Sequence, residues 1–274
     1  MRLHVRHETA YTYATPATRA LETLRLTPRG HDGQFVVDWR IDVDRDCRLE
    51  QGVDPFGNTV HTFSVEGPLD RLAIVAEGHI ETSDTSGVLS GQMERFPPVV
   101  FLRDTPLTDS DAAIRDFAKR IAARAGSTRL EVAHALMHAI RERLRFEIDS
   151  TNAGTSAVEA FRLGHGVCQD FAHVLIASFR HLDIPARYIS GYLRPEDGDE
   201  EQHAGHAWAE ALIDGLGWVG FDAANGVCPT DAYVRLAVGL DYLGAAPVRG
   251  TRYGGTGETM SVRVEVELAR HGSR

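Results

Sequence analysis

The first hundred residues alternate between apolar and polar positions. In RLHVRHETAYTY, Leu3, Val5, His7, Thr9 and Tyr11 interleave with Arg2, His4, Arg6 and Glu8. In QFVVDWRIDV, Phe35, Val37, Trp39, Ile41 and Val43 share one side. A period of two belongs to a strand with one buried face. Thr59 to Glu66 and Arg71 to Thr82 predict further strands, and DPFGN (Asp54 to Asn58) a turn set by its proline and glycine. An antiparallel sandwich is the simplest way to bury these faces. The stretch SDTSGVLSGQ then becomes small and polar, and RFPPVVFLRDTP carries Pro97, Pro98 and Pro106, which disfavour helix and central strand alike. A junction is expected within residues 83–106, dividing the chain into a β-rich domain over 1–95 and a second domain over 96–274.

Beyond the junction the period lengthens. Ile114, Phe117, Ala118 and Ile121 form one helical stripe, which Asp109, Ser110 or Asp111 can cap and Gly126 can end. Leu130, Leu136, Met137, Ile140 and Leu144 predict a second helix, and SAVEAFRL a shorter third. Phe171, Leu175, Phe179 and Leu182 mark a fourth, stopped by Pro185. ARYISGYL, HAWAEALI and WVGFDA follow as strands, and SVRVEVELA closes the chain as another. Helices followed by a sheet make this half α+β.

A chain of 274 residues that is 43% hydrophobic fits one or two domains with proper cores. Its 39 acidic against 29 basic residues give a net charge of −10, which argues against nucleic acid and anionic membranes as partners. The start, MRLHVRHETAYTY, lacks the apolar region of a signal peptide, and no run approaches the roughly 18 apolar residues that span a bilayer. Cys47, Cys168 and Cys228 are too few and too far apart for a disulfide framework. A cytoplasmic location is expected from this pattern.

Cys47, among charged neighbours, and Cys228, directly before Pro229, read as ordinary thiols. Cys168 has another setting, in GHGVCQDFAHVLIASFRHLDIPARYISGYL (Gly164 to Leu193). It opens the fourth helix just after Gly164 and Gly166, which allow backbone or substrate to approach closely. A helix start presents free N–H groups and a positive dipole end. That field favours thiolate over thiol, and the same N–H groups can stabilise an oxyanion formed by thiolate attack on a carbonyl. Such a nucleophile needs an imidazole as base and a third group to orient it. Downstream, His206 begins HAWAEALI, DGLG turns the chain, and Asp222 ends the returning WVGFD, about level with His206 if the strands form a hairpin.

GVCQDFAHVLIASFRHLDIPARYISGYL followed by GHAWAEALIDGLGWVGFDAANG resembles the bacterial transglutaminase-like cysteine enzymes. The first hundred residues and the ending LAVGLDYLGAAPVRGTRYGGTGETMSVRVEV resemble their N-terminal domain and C-terminal segment. The resemblance implies a papain-like core of helices packed on an antiparallel sheet and a triad with Cys168 as nucleophile, His206 as base and Asp222 as orienting carboxylate. It implies thiol-dependent acyl transfer on a peptide or glutamine-type amide, with a peptide or protein as partner and no cofactor. Hydrolysis is the expected outcome; transglutaminase cross-linking to amines, and a non-catalytic binding module, are the alternatives. FDAANG departs from relatives that place proline after the aspartate, a change confined to the turn.

The other candidates read more plainly. Asp170 can cap the helix that Cys168 opens. His173 is expected to pack, His165 to line the cleft or face solvent, and His203 to sit in an exposed loop. Trp208 shares the strand face of His206, and Tyr192 follows Gly191 at a strand end. No C-x-x-C occurs, and His203 with His206 is a short pair without a partner motif, so no metal is expected. GTRYGGTGE lacks the lysine of a phosphate loop and reads as a loop.

Overall fold

A computed structural model of the chain describes residues 1–194, 201–202 and 204–269. The N-terminal half supplies β1 (Arg2–Thr27), β2 (Gln34–Val43), β3 (Glu50–Val53), β4 (Thr59–Thr82) and β5 (Val88–Leu89). Four helices follow: α1 (Ala112–Ala122), α2 (Arg129–Arg143), α3 (Ala157–Leu163) and α4 (Cys168–His181), with the short β6 (Arg145–Phe146) and β7 (His165–Gly166) between them. The rest comprises β8 (Ala186–Leu193), β9 (Glu201–Gln202), β10 (His206–Ile213), β11 (Gly217–Phe221), β12 (Tyr233–Gly239), α5 (Tyr242–Ala245) and β13 (Val248–Leu268).

The strands form two main antiparallel sheets. One runs β2-β4-β1-β13-β9, with β3 also on β4; the other runs β12-β8-β10-β11-β5. Leu3, Val5, His7 and Thr9 are all buried, as the alternation requires. The buried face of the first sheet packs with Tyr192, Val234 and Leu236 of the second. The sheet-on-sheet layer is thus completed by the second half of the chain. The helices cover the opposite face of the second sheet, where Ala207, Ala209, Ala211 and Ile213 of β10 join the core formed by α1 to α4.

Several local expectations change in the folded chain. In β2, Phe35 is 63% exposed, whereas Trp39, Ile41 and Val43 pack on the core. A register shift between Val36 and Asp38 inserts one residue, and such a slip reverses which side chains face inward. The C-terminal strand does not close the helical half: β13 pairs with β1 from Leu268 opposite Leu3 to Val248 opposite Leu24. The glycine-rich stretch expected as a loop lies inside this strand. Gly254, Gly255 and Gly257 have positive φ and lie beside the register break in β1 near Ala17, a conformation that glycine adopts without strain.

β12 was not recognisable as a strand and forms the edge of the second sheet. Two side chains from the N-terminal half cover that edge. Gln34 donates to the Arg235 carbonyl at 2.9 Å and accepts from its N–H at 2.8 Å. Asn58, held in the Asp54 turn, repeats the exchange with Val238 at 2.7 and 2.8 Å. An amide side chain offers the same donor and acceptor as a neighbouring strand, which leaves no bare edge there.

Candidate active site

α4 begins at Cys168, so the sulfur stands in the first turn, where backbone N–H groups have no intrahelical acceptor. Of the two glycines before it, Gly164 closes α3 in the left-handed conformation, with φ of 75°. Gly166 is covered by Asp170: a Cβ there would lie 2.5 Å from Oδ2. Instead of the close approach by backbone or substrate expected of these glycines, Gly166 makes room for the Asp170 side chain and Gly164 serves the chain turn. Asp170 is fully buried and accepts from the Val167 N–H at 2.8 Å and the Thr151 hydroxyl at 2.6 Å. It caps the helix, and burial raises its carboxyl above the usual range.

His206 is the first residue of β10, at the end of the strand. The pairing of Ala209 with Phe221, continued by one residue, sets Asp222 opposite Trp208. His206 is thus the diagonal neighbour of Asp222 and not level with it. The His206 Nε2–H donates to Asp222 Oδ2 at 2.6 Å. The same ring is also a hydrogen-bonding partner of the Cys168 thiol. The three residues predicted from sequence are therefore contiguous, in the order Cys168, His206, Asp222.

Asp222 is fully buried and receives five donors. Besides His206, the Tyr233 hydroxyl and the Asn225 amide reach Oδ2 at 2.8 and 2.7 Å. The N–H groups of Ala224 and Asn225 reach Oδ1 at 2.9 and 3.2 Å. Burial alone would raise this carboxyl, but the His206 hydrogen bond and charge, with Tyr233 and Asn225, hold it below the usual range. Burial also pulls the His206 imidazolium down. The hydrogen bonds to Asp222 and Cys168 outweigh it and raise the group to about 10. The arrangement maintains a carboxylate and a charged ring beside a sulfur.

Sequence reasoning missed Tyr233 and Asn225. Asn225, three residues after Asp222 in a turn, carried a detectable signal, because short polar side chains in turns bond nearby groups. Tyr233 carried none, since its strand was not foreseen. Trp208 is buried on the His206 face with ring centroids 6.2 Å apart. It packs with Tyr233, whose ring is edge-on to it at 5.5 Å. Tyr192 is buried in the core between the sheets, and its hydroxyl meets His7 Nδ1 at 2.9 Å. His173 is buried and accepts from the Tyr242 N–H at 3.1 Å, and burial lowers it to about 4. His165 lies in β7, 4.0 Å from Glu147. His203 lies outside the described residues. Cys228 is half-buried and its thiol is pushed up to about 11 by burial; burial and the charge of Asp46 also raise that of Cys47.

A cleft of about 260 Å³ opens at Cys168 and His206. Its far wall belongs to the first sheet: Thr9 of β1 and Met260 and Val262 of β13 line it. Among the described residues no group of three or more His, Cys, Asp or Glu side chains is placed to hold a metal ion.

Comparison with known proteins gives two family matches. Residues 115–223 match the transglutaminase-like superfamily, and residues 3–81 match the bacterial transglutaminase-like N-terminal region. The uncharacterised protein ML0607 of Mycobacterium leprae is 32% identical, over 98% of this chain and 99% of its own. The uncharacterised protein Rv2569c of Mycobacterium tuberculosis is 28% identical, over 92% of this chain and 88% of its own. Among solved structures, one from Cytophaga hutchinsonii described as a "putative cysteine protease" superposes with a TM-score of 0.80 at 21% identity, covering 100% of this chain and 92% of that one. At that identity the likeness shows a shared fold.

Proposed function

This chain belongs to the transglutaminase-like superfamily, and from that premise we propose that it is a thiol-dependent hydrolase of peptide-type amide bonds working through Cys168, His206 and Asp222. The observation that carries the reading is the fivefold-bonded, buried Asp222, which holds by its Nε2 the same His206 ring that bonds the Cys168 thiol. Such burial and bonding of a carboxylate has a cost unless an imidazolium is to be held.

The Cys168 thiolate attacks the amide carbonyl carbon, forming a C–S bond and an oxyanion. Free N–H groups at the start of α4 can stabilise that developing negative charge. His206, holding the thiol proton as imidazolium, gives it to the leaving nitrogen as the C–N bond breaks. Asp222 keeps the ring oriented and compensates its charge. Water then attacks the thioester, with His206 taking its proton. The C–S bond breaks, a carboxylic acid leaves and the thiol is restored. Water is the acceptor in this reading, and a primary amine is its competitor for the thioester.

The test is mass spectrometry of a peptide library incubated with the protein, with and without an added primary amine. Cleaved peptides whose yield the amine leaves unchanged support hydrolysis. Amine adducts in place of cleavage would assign the cross-linking alternative. A library untouched under both conditions, with Cys168 alkylated by iodoacetamide no faster than Cys47, would leave a binding module.

A further inference from the structure

The cleft that opens at Cys168 and His206 has an unusual lining for a chain with 68 charged side chains, 29 basic and 39 acidic. Among the described residues no Asp, Glu, Lys or Arg lines it. Its titratable groups apart from Cys168 and His206 are His7, Tyr188 and Tyr242, and these are uncharged near neutrality. His7 is 2% exposed and lowered to about 4 by burial. Burial raises both tyrosine hydroxyls. The remaining lining is predominantly apolar, with Val167 on the nucleophile side and Val248, Met260 and Val262 across from it. Apart from Cys168 and His206 at its reacting end, the described lining offers a charged group no counter-charge, whereas an apolar group gains by leaving water.

The size of the site points the same way. About 260 Å³ is below the roughly 300–1,000 Å³ of sites that enclose drug-sized ligands. It suits one side chain with its stretch of backbone. Because the sulfur itself lines the space, the residue held there is the one that presents its carbonyl to Cys168. Val262 lies opposite Thr9 and Met260 opposite Tyr11 in the pairing of β13 with β1, so their side chains stand on the sheet face that closes the cleft. Met260 is 57% exposed, which places it at the rim.

We propose that this cleft selects acyl groups bearing an uncharged, apolar side chain, and that Met260 and Val262 of the C-terminal strand set the preference. The selection rests on the hydrolase reading given above. It assigns to the first sheet a part in substrate choice, and it explains why the last strand must return to β1: that pairing brings the wall to the nucleophile.

Two measurements separate this idea from the reading it rests on. The first is binding of blocked peptide amides with Leu, Phe, Asp or Lys at the acyl position to the Cys168→Ala protein, which needs no turnover. Leu and Phe peptides should bind at least about tenfold more tightly than Asp or Lys peptides, the expectation for burying one large apolar side chain. Equal binding across the four overturns the proposal. The second is kcat/KM for the same series with the intact enzyme and with Met260→Lys and Met260→Glu. The lysine variant should raise Asp over Lys peptides, and the glutamate variant should do the reverse, each by about threefold to tenfold for one charge at a partly exposed rim. An unchanged order in both variants also overturns it. Apolar-selective binding with no turnover of any peptide would retain the selectivity and remove the hydrolase.

Discussion

Replacing Asp222 by asparagine probes the site with the least change of shape. Oδ2 takes three donors and Oδ1 takes two. An amide has one NH2 group, so either orientation aims a donor at donors. If the NH2 replaces Oδ2 it meets the His206 Nε2–H, the Tyr233 hydroxyl and the Asn225 amide; if it replaces Oδ1 it meets two backbone N–H groups. The ring also loses its counter-charge. His206 lies at about 10 against an ordinary 6.5, and at 1.36 kcal/mol per pH unit this is roughly 5 kcal/mol in favour of the imidazolium. Asp222 contributes most of the hydrogen bonding and charge behind that rise, and burial remains when it is removed. The ring of Asp222→Asn should therefore titrate below neutrality. kcat/KM for a cleaved peptide should fall on the order of 10³-fold, with loss of stability of about 3–5 kcal/mol from the broken buried pair. The assay combines peptide turnover, iodoacetamide alkylation of Cys168 at pH 7 and an NMR titration of the His206 ring. Retention of more than a tenth of the wild-type kcat/KM, together with a ring that still titrates near 10, would refute the reasoning.

Other outcomes follow from the same structure. Cys168→Ala should abolish turnover while changing unfolding stability by less than about 1 kcal/mol, since the half-buried thiol contributes little packing; chemical denaturation checks the second part. Tyr233→Phe removes one donor to a buried carboxylate and should destabilise the chain by about 1–3 kcal/mol, with a far smaller loss of turnover than Asp222→Asn. Glu210 binds Arg187 at 2.6 Å and Arg235 at 2.7 Å in the core, so Glu210→Gln should cost about 3–5 kcal/mol in urea unfolding. Stability should be greatest near pH 6.5. His206, raised to about 10, contributes fully below 6.5 and loses its share as pH climbs through 10. On the acid side His7, His31 and His173 accept protons near 6.5 when unfolded but near 4 when folded. Glu22, raised to about 7, opposes them. With these three rings set against Glu22, stability should fall by about 2 kcal/mol per pH unit between about 6 and 4.5, measurable by denaturation at stepped pH; a flat profile there would contradict the burial of these rings.

Three things were legible in the chain alone: the strand and helix periods, the helix start at Cys168, and the hairpin that carries His206 and Asp222. Each is local. A period reports which side of one element faces inward, and Cys168 is set by the turn that precedes its own helix. Even the pairing of His206 with Asp222 needs only a short hairpin, although its register fell two residues from the level arrangement. What lay outside the sequence's reach is non-local. Phe35 and Trp39 have the same parity yet face opposite ways, because one inserted residue in β2 is visible only against β4. The glycines of β13 read as a loop until β1 supplies the neighbour whose irregularity they match. Tyr233 meets Asp222, and Met260 meets the cleft, through strands whose partners are remote along the chain. Side-chain periodicity fixes the face an element buries, whereas the identity of what it is buried against is decided only when distant strands pair and close the molecule.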